Sequence, residues 1–233
     1  MAVLITGGSR GIGAACVRAF VGAGHDVGFI YEKSESNALA LARETGAMAI
    51  RADVANRAQV FDAVARFGGA DVLVCCAGVA WFGLFQDMGE MALRRLMDVN
   101  ALGTFFAAQA VAPGMIDAGR GAMVFISSIW GQVGASCEAA YSMSKGAQIA
   151  LAKALAKELG PSGVRVNCIA PGVIDTQMNA GFDPDALAAL AEETPLGRIG
   201  TPQDVANAAL FLASDAAGFI TGQVLSPNGG LSV

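Results

Sequence analysis

The feature that most constrains this chain is a regular alternation along its length. Apolar runs of strand length, rich in Val, Ile, Leu and Ala, fall at 2–6, 26–31, 47–52, 71–76, 122–127, 164–170 and 222–227. Amphipathic stretches of helix length fall at 11–23, 34–44, 56–66, 91–115, 139–159, 184–193 and 202–212. Strand–helix alternation of this kind predicts crossover connections, and hence a parallel sheet covered by helices on both faces. The near-continuous apolar strands agree, because both faces of such a sheet are buried. The reading is a single doubly wound α/β domain spanning 1–233, with about seven parallel strands. Residues 171–198 break the rhythm, with Gly172, Gly181, Pro184 and Pro195 around one short helix, and are expected to form a movable lid over a site.

Composition narrows the function classes. Hydrophobic residues make up 54% of 233, enough for a large core. No run of 18 apolar residues is present, so no membrane span is expected. The first strand begins beside Met1, which leaves no room for a signal or transit peptide, and the expected location is the cytoplasm. A net charge of −5 without a basic tract argues against a nucleic-acid partner, since phosphate binding needs clustered Lys and Arg. The cysteines are Cys16, Cys75, Cys76, Cys137 and Cys168; their odd number and spacing predict reduced thiols and no metal site. Cys75 and Cys76 should point to opposite faces of one strand. The single histidine, His25, follows the first helix and is expected to be a surface or helix-terminal residue.

The segment Thr6-Gly7-Gly8-Ser9-Arg10-Gly11-Ile12-Gly13 joins the first strand to the first helix. Glycines there let the backbone approach a pyrophosphate, and the N–H groups of the helix start bind its charge. A glycine-rich turn alone is a weak signal; its place in the first βα unit of an alternating, Rossmann-like fold gives it weight. Gly7, Ser9, Arg10, Gly11, Ile12 and Gly13 are therefore candidate cofactor residues. The second strand ends in Tyr31-Glu32-Lys33-Ser34, where an acid would meet the adenosine ribose of NAD. Tyr31 stands in the acid's place, and Arg10 and Lys33 could face a 2′-phosphate, which favours NADPH/NADP over NADH. Glu32 opposes that choice if it turns inward; otherwise Glu32 and Lys33 are a solvated loop.

Tyr141 and Lys145 are four apart on a predicted helix and share its face. A phenol is a poor acid–base group at neutral pH unless a nearby cation favours its ionised form. With that help Tyr141 could give a proton to a carbonyl oxygen as hydride reaches carbon. Ser128, at the C-terminal end of a predicted strand, could bond the same oxygen. Asn100 could bond a carbonyl or water behind Lys145, or could simply interrupt its helix. Glu138 lies three residues before Tyr141; it could pair with a substrate ammonium, or cap the Tyr141 helix and stay wet. A nucleophilic hydrolase is disfavoured because His25 is the only base that could serve Ser128. A non-catalytic NADP-binding redox sensor is the remaining alternative class.

Together these residues resemble the short-chain dehydrogenase/reductase family over essentially the whole chain. The resemblance rests on Thr6-Gly7-x3-Gly11-x-Gly13, Ala52-Asp53-Val54, Cys75-Cys76-Ala77-Gly78, Asn100, Ser127-Ser128, Tyr141-x3-Lys145, Asn167, Pro171-Gly172 and Gly222…Asn228-Gly229-Gly230. It implies a catalytic tetrad of Asn100, Ser128, Tyr141 and Lys145. It implies that Lys145 also holds the nicotinamide ribose, that Asp53 and Val54 contact adenine, and that Ala77 and Gly78 line the cofactor. Pro171, Gly172, Ile174 and Thr176 would lie at the nicotinamide end. It further implies a homotetramer built partly through the Asn100 and Tyr141 helices. The family usually carries Asn-Asn where this chain has Cys75-Cys76; backbone contacts should survive that change. Within the family the sequence is similar to 3-oxoacyl-[acyl-carrier-protein] reductases. A narrower likeness, in Ser127-Ser128-Ile129-Trp130-Gly131, Gly134-Ala135-Ser136-Cys137-Glu138 and Pro171-Gly172-Val173-Ile174-Asp175-Thr176, is to elongation factor P 5-aminopentanone reductases. Either implies a ketone substrate carried on a protein. Arg94, Arg95, Arg120 and Arg198 are the candidate basic rim that an acidic carrier protein would need.

Overall fold

A computed structural model describes residues 1–179 and 183–232. Gly181, expected in the lid, lies outside them. Seven strands form one sheet: β1 Ala2–Thr6, β2 Asp26–Tyr31, β3 Met48–Arg51, β4 Val72–Cys75, β5 Gly121–Ile126, β6 Val164–Ile169 and β7 Val224–Leu225. Their order is β3-β2-β1-β4-β5-β6-β7, and every pairing is parallel. The direction of winding reverses between β1 and β4, and that is where such sheets open a crevice beyond the carboxyl ends of their strands.

The alternation in the sequence becomes two cores. On one face Val3, Ile5 and Val74 pack with Cys16, Val17 and Phe20 of α1 (Gly11–Gly22) and with Val205, Ala209 and Leu212 of α9 (Pro202–Ala213). The other face joins Leu4, Leu73 and Met123 to α3 (Arg57–Phe67), α5 (Gly103–Ala118) and α7 (Ala139–Leu159). Cys75 belongs to the second face and Cys76 to the first, as strand alternation requires. All five cysteines are free thiols. Further helices are α2 Glu35–Thr45, α6 Trp130–Val133 and α8 Pro184–Glu193.

The long helix expected at 91–115 is not continuous. It consists of α4 (Glu90–Met97), a wide π-helical turn at Asp98–Leu102, and α5. The whole stretch Glu90–Ala118 is long and apolar enough by composition to cross a membrane. Its apolar residues Val99, Ala107, Val111 and Met115 are instead buried against the sheet. His25 is half-buried against the Phe20 ring, with centroids 5.8 Å apart, in the turn before β2.

Candidate active site

The phosphate loop is shaped by what its glycines leave out. Gly7 has φ +68, and a Cβ there would come within 2.7 Å of the Ala77 backbone. A Cβ on Gly13 would strike the Gly7 carbonyl. The strand–turn–helix passage therefore closes only with hydrogen at both positions. Thr6 ties the turn to the neighbouring strand end, its hydroxyl accepting from the Ala77 N–H at 3.2 Å. Arg10 precedes α1 in extended conformation without a side-chain cap, and no acid stands in the first turn. The positive end of α1 is thus left for an external anion, and the residues fit a pyrophosphate.

From this loop a cleft of about 630 Å³ runs over the sheet edge. Its lining includes Gly7, Ser9, Arg10, Gly11, Ile12, Gly13, Tyr31, Lys33, Asp53, Val54, Ala77, Gly78 and Thr176 of the sequence-predicted set. Tyr141, Lys145, Pro171, Gly172 and Ile174 of that set lie outside this lining, as do Asn100 and Ser128. Pro171 is buried and accepts the Ile129 N–H through its carbonyl at 3.1 Å, so it supports the floor of the site. Where the cleft passes the ends of β2 and β3, Arg95 of α4 donates to Asp53 Oδ2 at 2.7 Å and to Glu32 Oε2 at 2.9 Å. Lys33 Nζ stands 3.7 Å from the other Glu32 oxygen.

At the opposite end the polar groups are buried. Asn100 is held by the π-helical turn, where its side chain donates to Val79 O and to Ser144 Oγ and accepts from Val79 N–H, each at 2.9 Å. It is a bonded structural anchor rather than a mere interruption. Lys145 Nζ donates to Ile126 O at 2.8 Å and to Gln148 Oε1 at 3.1 Å. Gln148 in turn donates to Thr104 at 2.7 Å. The ammonium lies 5.6 Å from the centre of the Tyr141 ring, and a Cβ added to Gly78 would sit 3.5 Å from both Lys145 Nζ and Asn100 Oδ1. Two of the three ammonium hydrogens are committed within the protein, leaving one for a ligand.

Charge states follow from burial. Burial pushes the Tyr141 phenol up to about 12, the Glu138 carboxylate adds to the rise, and a hydrogen bond with Ser128 works against it. The sequence argument expected Lys145 to draw that phenol down, but the protein alone does not do so. Burial instead lowers Lys145 to about 8, against a smaller upward pull from the thiols of Cys76, Cys168 and Cys75. Glu138 is half-buried at the N-cap position of α7, where its main-chain carbonyl accepts from Ser142 N–H at 2.8 Å and its side chain makes no capping bond. Burial raises its pKa, and its carboxyl has no hydrogen-bond or ion-pair partner among the described residues.

A family model described as enoyl-(acyl carrier protein) reductase matches residues 7–232. The chain belongs to the short-chain dehydrogenase/reductase family. Among similar family members, the 3-oxoacyl-[acyl-carrier-protein] reductase FabG of Chlamydia muridarum is 40% identical, over 99% of this chain and 97% of its own length. An uncharacterized oxidoreductase, YmfI of Bacillus subtilis, is 38% identical over 97% of each. A crystal structure of a 3-oxoacyl-[acyl-carrier protein] reductase from Brucella melitensis superposes with a TM-score of 0.95 at 36% identity, covering 100% of this chain and 91% of that one. A second Brucella structure, with bound NAD, gives 0.93 at 35% identity with the same coverage.

The chain is thus a short-chain oxidoreductase, and the residues expected to act together do converge. Sequence reasoning missed Gln148 and the site role of Arg95. Gln148 sits three residues beyond Lys145 on the same helical face, a spacing that could have marked it. Arg95 reaches Asp53 and Glu32 only through the tertiary fold, so no local pattern announces it.

Proposed function

We propose that this short-chain oxidoreductase uses NADPH to reduce the ketone of a 5-aminopentanone group on a modified lysine of elongation factor P. The observation that carries the substrate is Glu138: a half-buried carboxyl without a protein partner, close enough to Tyr141 to raise its pKa. The carboxylate is partly withdrawn from water without a protein counter-ion, and an ammonium on the substrate would supply one. An acyl thioester offers none. The arginines that could attract an acidic carrier protein are matched by acids: Arg94 by Glu90, Arg95 by Asp53, Arg120 by Asp71 and Arg198 by Asp204. Phe82 and Phe85 are 70% and 81% exposed near the Glu138 loop, where Gly83 N–H bonds Cys137 O, and offer an apolar rim to a protein-borne substrate.

NADPH fits the exposed Arg10 and Lys33 beside the cleft, and a bound nicotinamide would supply hydride to the carbonyl carbon. Asn100, Ser128, Tyr141 and Lys145 are the proposed catalytic set. Tyr141 rests protonated at neutral pH, ready to donate to the carbonyl oxygen. Ser128 orients the same oxygen while its Oγ accepts from Trp130 N–H at 3.2 Å. Lys145 directs its remaining N–H toward the ribose hydroxyls, and Asn100 fixes Ser144, the residue beside Lys145. Thr176, Gln177 and Met178 line the cleft from residues 171–198, the proposed lid. Exposed Leu102, Phe105 and Met143, on the elements carrying Asn100 and Tyr141, suit a homotetramer. Free cysteines throughout suit the reducing cytoplasm.

The second reading, 3-oxoacyl-[acyl-carrier-protein] reduction, is favoured by the names of the Chlamydia and Brucella relatives. NADPH consumption with ketone-modified elongation factor P and with acetoacetyl thioester separates the two. The proposal expects turnover of the first, and Glu138→Gln should weaken it by about tenfold or more while sparing the thioester. Unchanged preference in that variant would remove the role given to Glu138.

A further inference from the structure

The adenine end of the cleft contains a clasp outside the glycine loop and β2. Arg95 comes from α4 and bridges two carboxylates on neighbouring strand ends, Glu32 after β2 and Asp53 after β3. Glu32, next to Tyr31, is the acid that could bind a free ribose 2′-hydroxyl by turning inward, yet both of its oxygens face cations: Oε2 meets Arg95 at 2.9 Å and Oε1 faces Lys33 at 3.7 Å. Asp53 is fixed as well, with Oδ1 accepting from Ala55 N–H at 2.9 Å and Oδ2 from Arg95. The cleft wall at this end carries Arg10, Lys33 and Arg95 against Glu32 and Asp53, three cations to two acids.

We infer that Arg95 is a specificity-determining residue for the cofactor: by holding Glu32 it withdraws the one acid that would select a ribose diol and repel a 2′-phosphate. The inference rests on the NADPH reading above. A guanidinium suits this task because its planar fork reaches two carboxylates at once, which a single ammonium does not. Freed from Arg95, Glu32 would regain an oxygen for the diol, and the local balance would fall to two cations against two acids. Both changes act against a 2′-phosphate and for the plain ribose.

The test is equilibrium binding of NADPH and NADH, followed by quenching of protein fluorescence, in wild type, Arg95→Met, Arg95→Lys and the double variant Arg95→Met with Glu32→Gln. Thermal unfolding of each checks folding. Arg95→Met should shift the NADPH-to-NADH affinity ratio toward NADH by about tenfold or more, and Arg95→Lys by less. The double variant should return the ratio to within about threefold of wild type, because the released carboxylate is gone. An unchanged ratio in Arg95→Met overturns the clasp. So does a shift that Glu32→Gln fails to reverse, since Arg95 would then act by touching the phosphate itself. Should Arg95→Met not fold, Arg95→Lys alone with and without Glu32→Gln carries the same decision. A wild type that binds NADH more tightly than NADPH overturns the NADPH reading, while the clasp is still judged by whether the ratio moves and is reversed.

Discussion

Behind the Gly78–Val79 end of the cleft Asn100, Ser144, Gln148 and Lys145 are buried, and no buried side-chain polar atom among the described residues lacks a hydrogen-bond partner. At the Glu32–Asp53 end Arg95, Glu32 and Asp53 grip one another in partial contact with water, at side-chain exposures of 38%, 39% and 26%. The first arrangement cannot lose a member without stranding another inside the protein. The second exchanges partners at little cost, because solvent screens and replaces what is removed. On the proposed roles, the chemistry would rest on the dry network and the choice between similar cofactors on the wet one.

The comparison can be broken at three points. The largest effect is expected from Tyr141→Phe, which removes the proton but not the packing. Ketone reduction should fall by about a hundredfold to ten-thousandfold in kcat/KM, while the dissociation constant for NADPH stays within about twofold. A small loss would mean that another group supplies the proton. Next comes Asn100→Ala, which leaves the Val79 N–H and C=O without their side-chain partner and removes one of the two bonds of Ser144 Oγ. Chemical denaturation should show a stability loss of about 2–4 kcal/mol, alongside reduced turnover. Asp53→Asn, in the wet cluster, should cost less than about 1 kcal/mol in the same measurement. Equal costs for Asn100→Ala and Asp53→Asn would erase the distinction between the two ends. The pH profile sharpens it further. If the Lys145 ammonium is needed, reduction should decline as pH rises through about 8, where the buried group loses its proton. A decline only above the ordinary lysine range would show that Lys145 is not held in the lowered state.

Much of this was legible in the chain itself. β1, β2 and α7 begin and end where their apolar patterns do, because each is bounded by turn residues and packed on a continuous core. β7 shortens to Val224–Leu225 from the expected 222–227, although backbone bonds continue on both sides of it, from Gly222 N–H to Val166 O and from Gly172 N–H to Pro227 O. Tyr141, Lys145 and Ser128 were found because one helix and one strand end bring them together within a short stretch of sequence. Arg95 escaped because its partners lie 42 and 63 residues away. The protonation of Tyr141 also escaped: spacing reveals a neighbouring ammonium but not the burial that outweighs it.

The wide turn at Asp98–Leu102 has a bearing on how relatives of this chain can differ in length. An ordinary α-helix advances about 100° per residue, so a π turn, which takes one residue more, re-aims everything after it. The stripes of apolar residues on α4 and α5 therefore belong to two registers, and no single wheel describes them both. Removing one residue from this stretch would straighten the rod and swing Val111 and Met115 away from the strands they cover. A loop could absorb the same deletion; here it would have to be matched by a rebuilt helix surface.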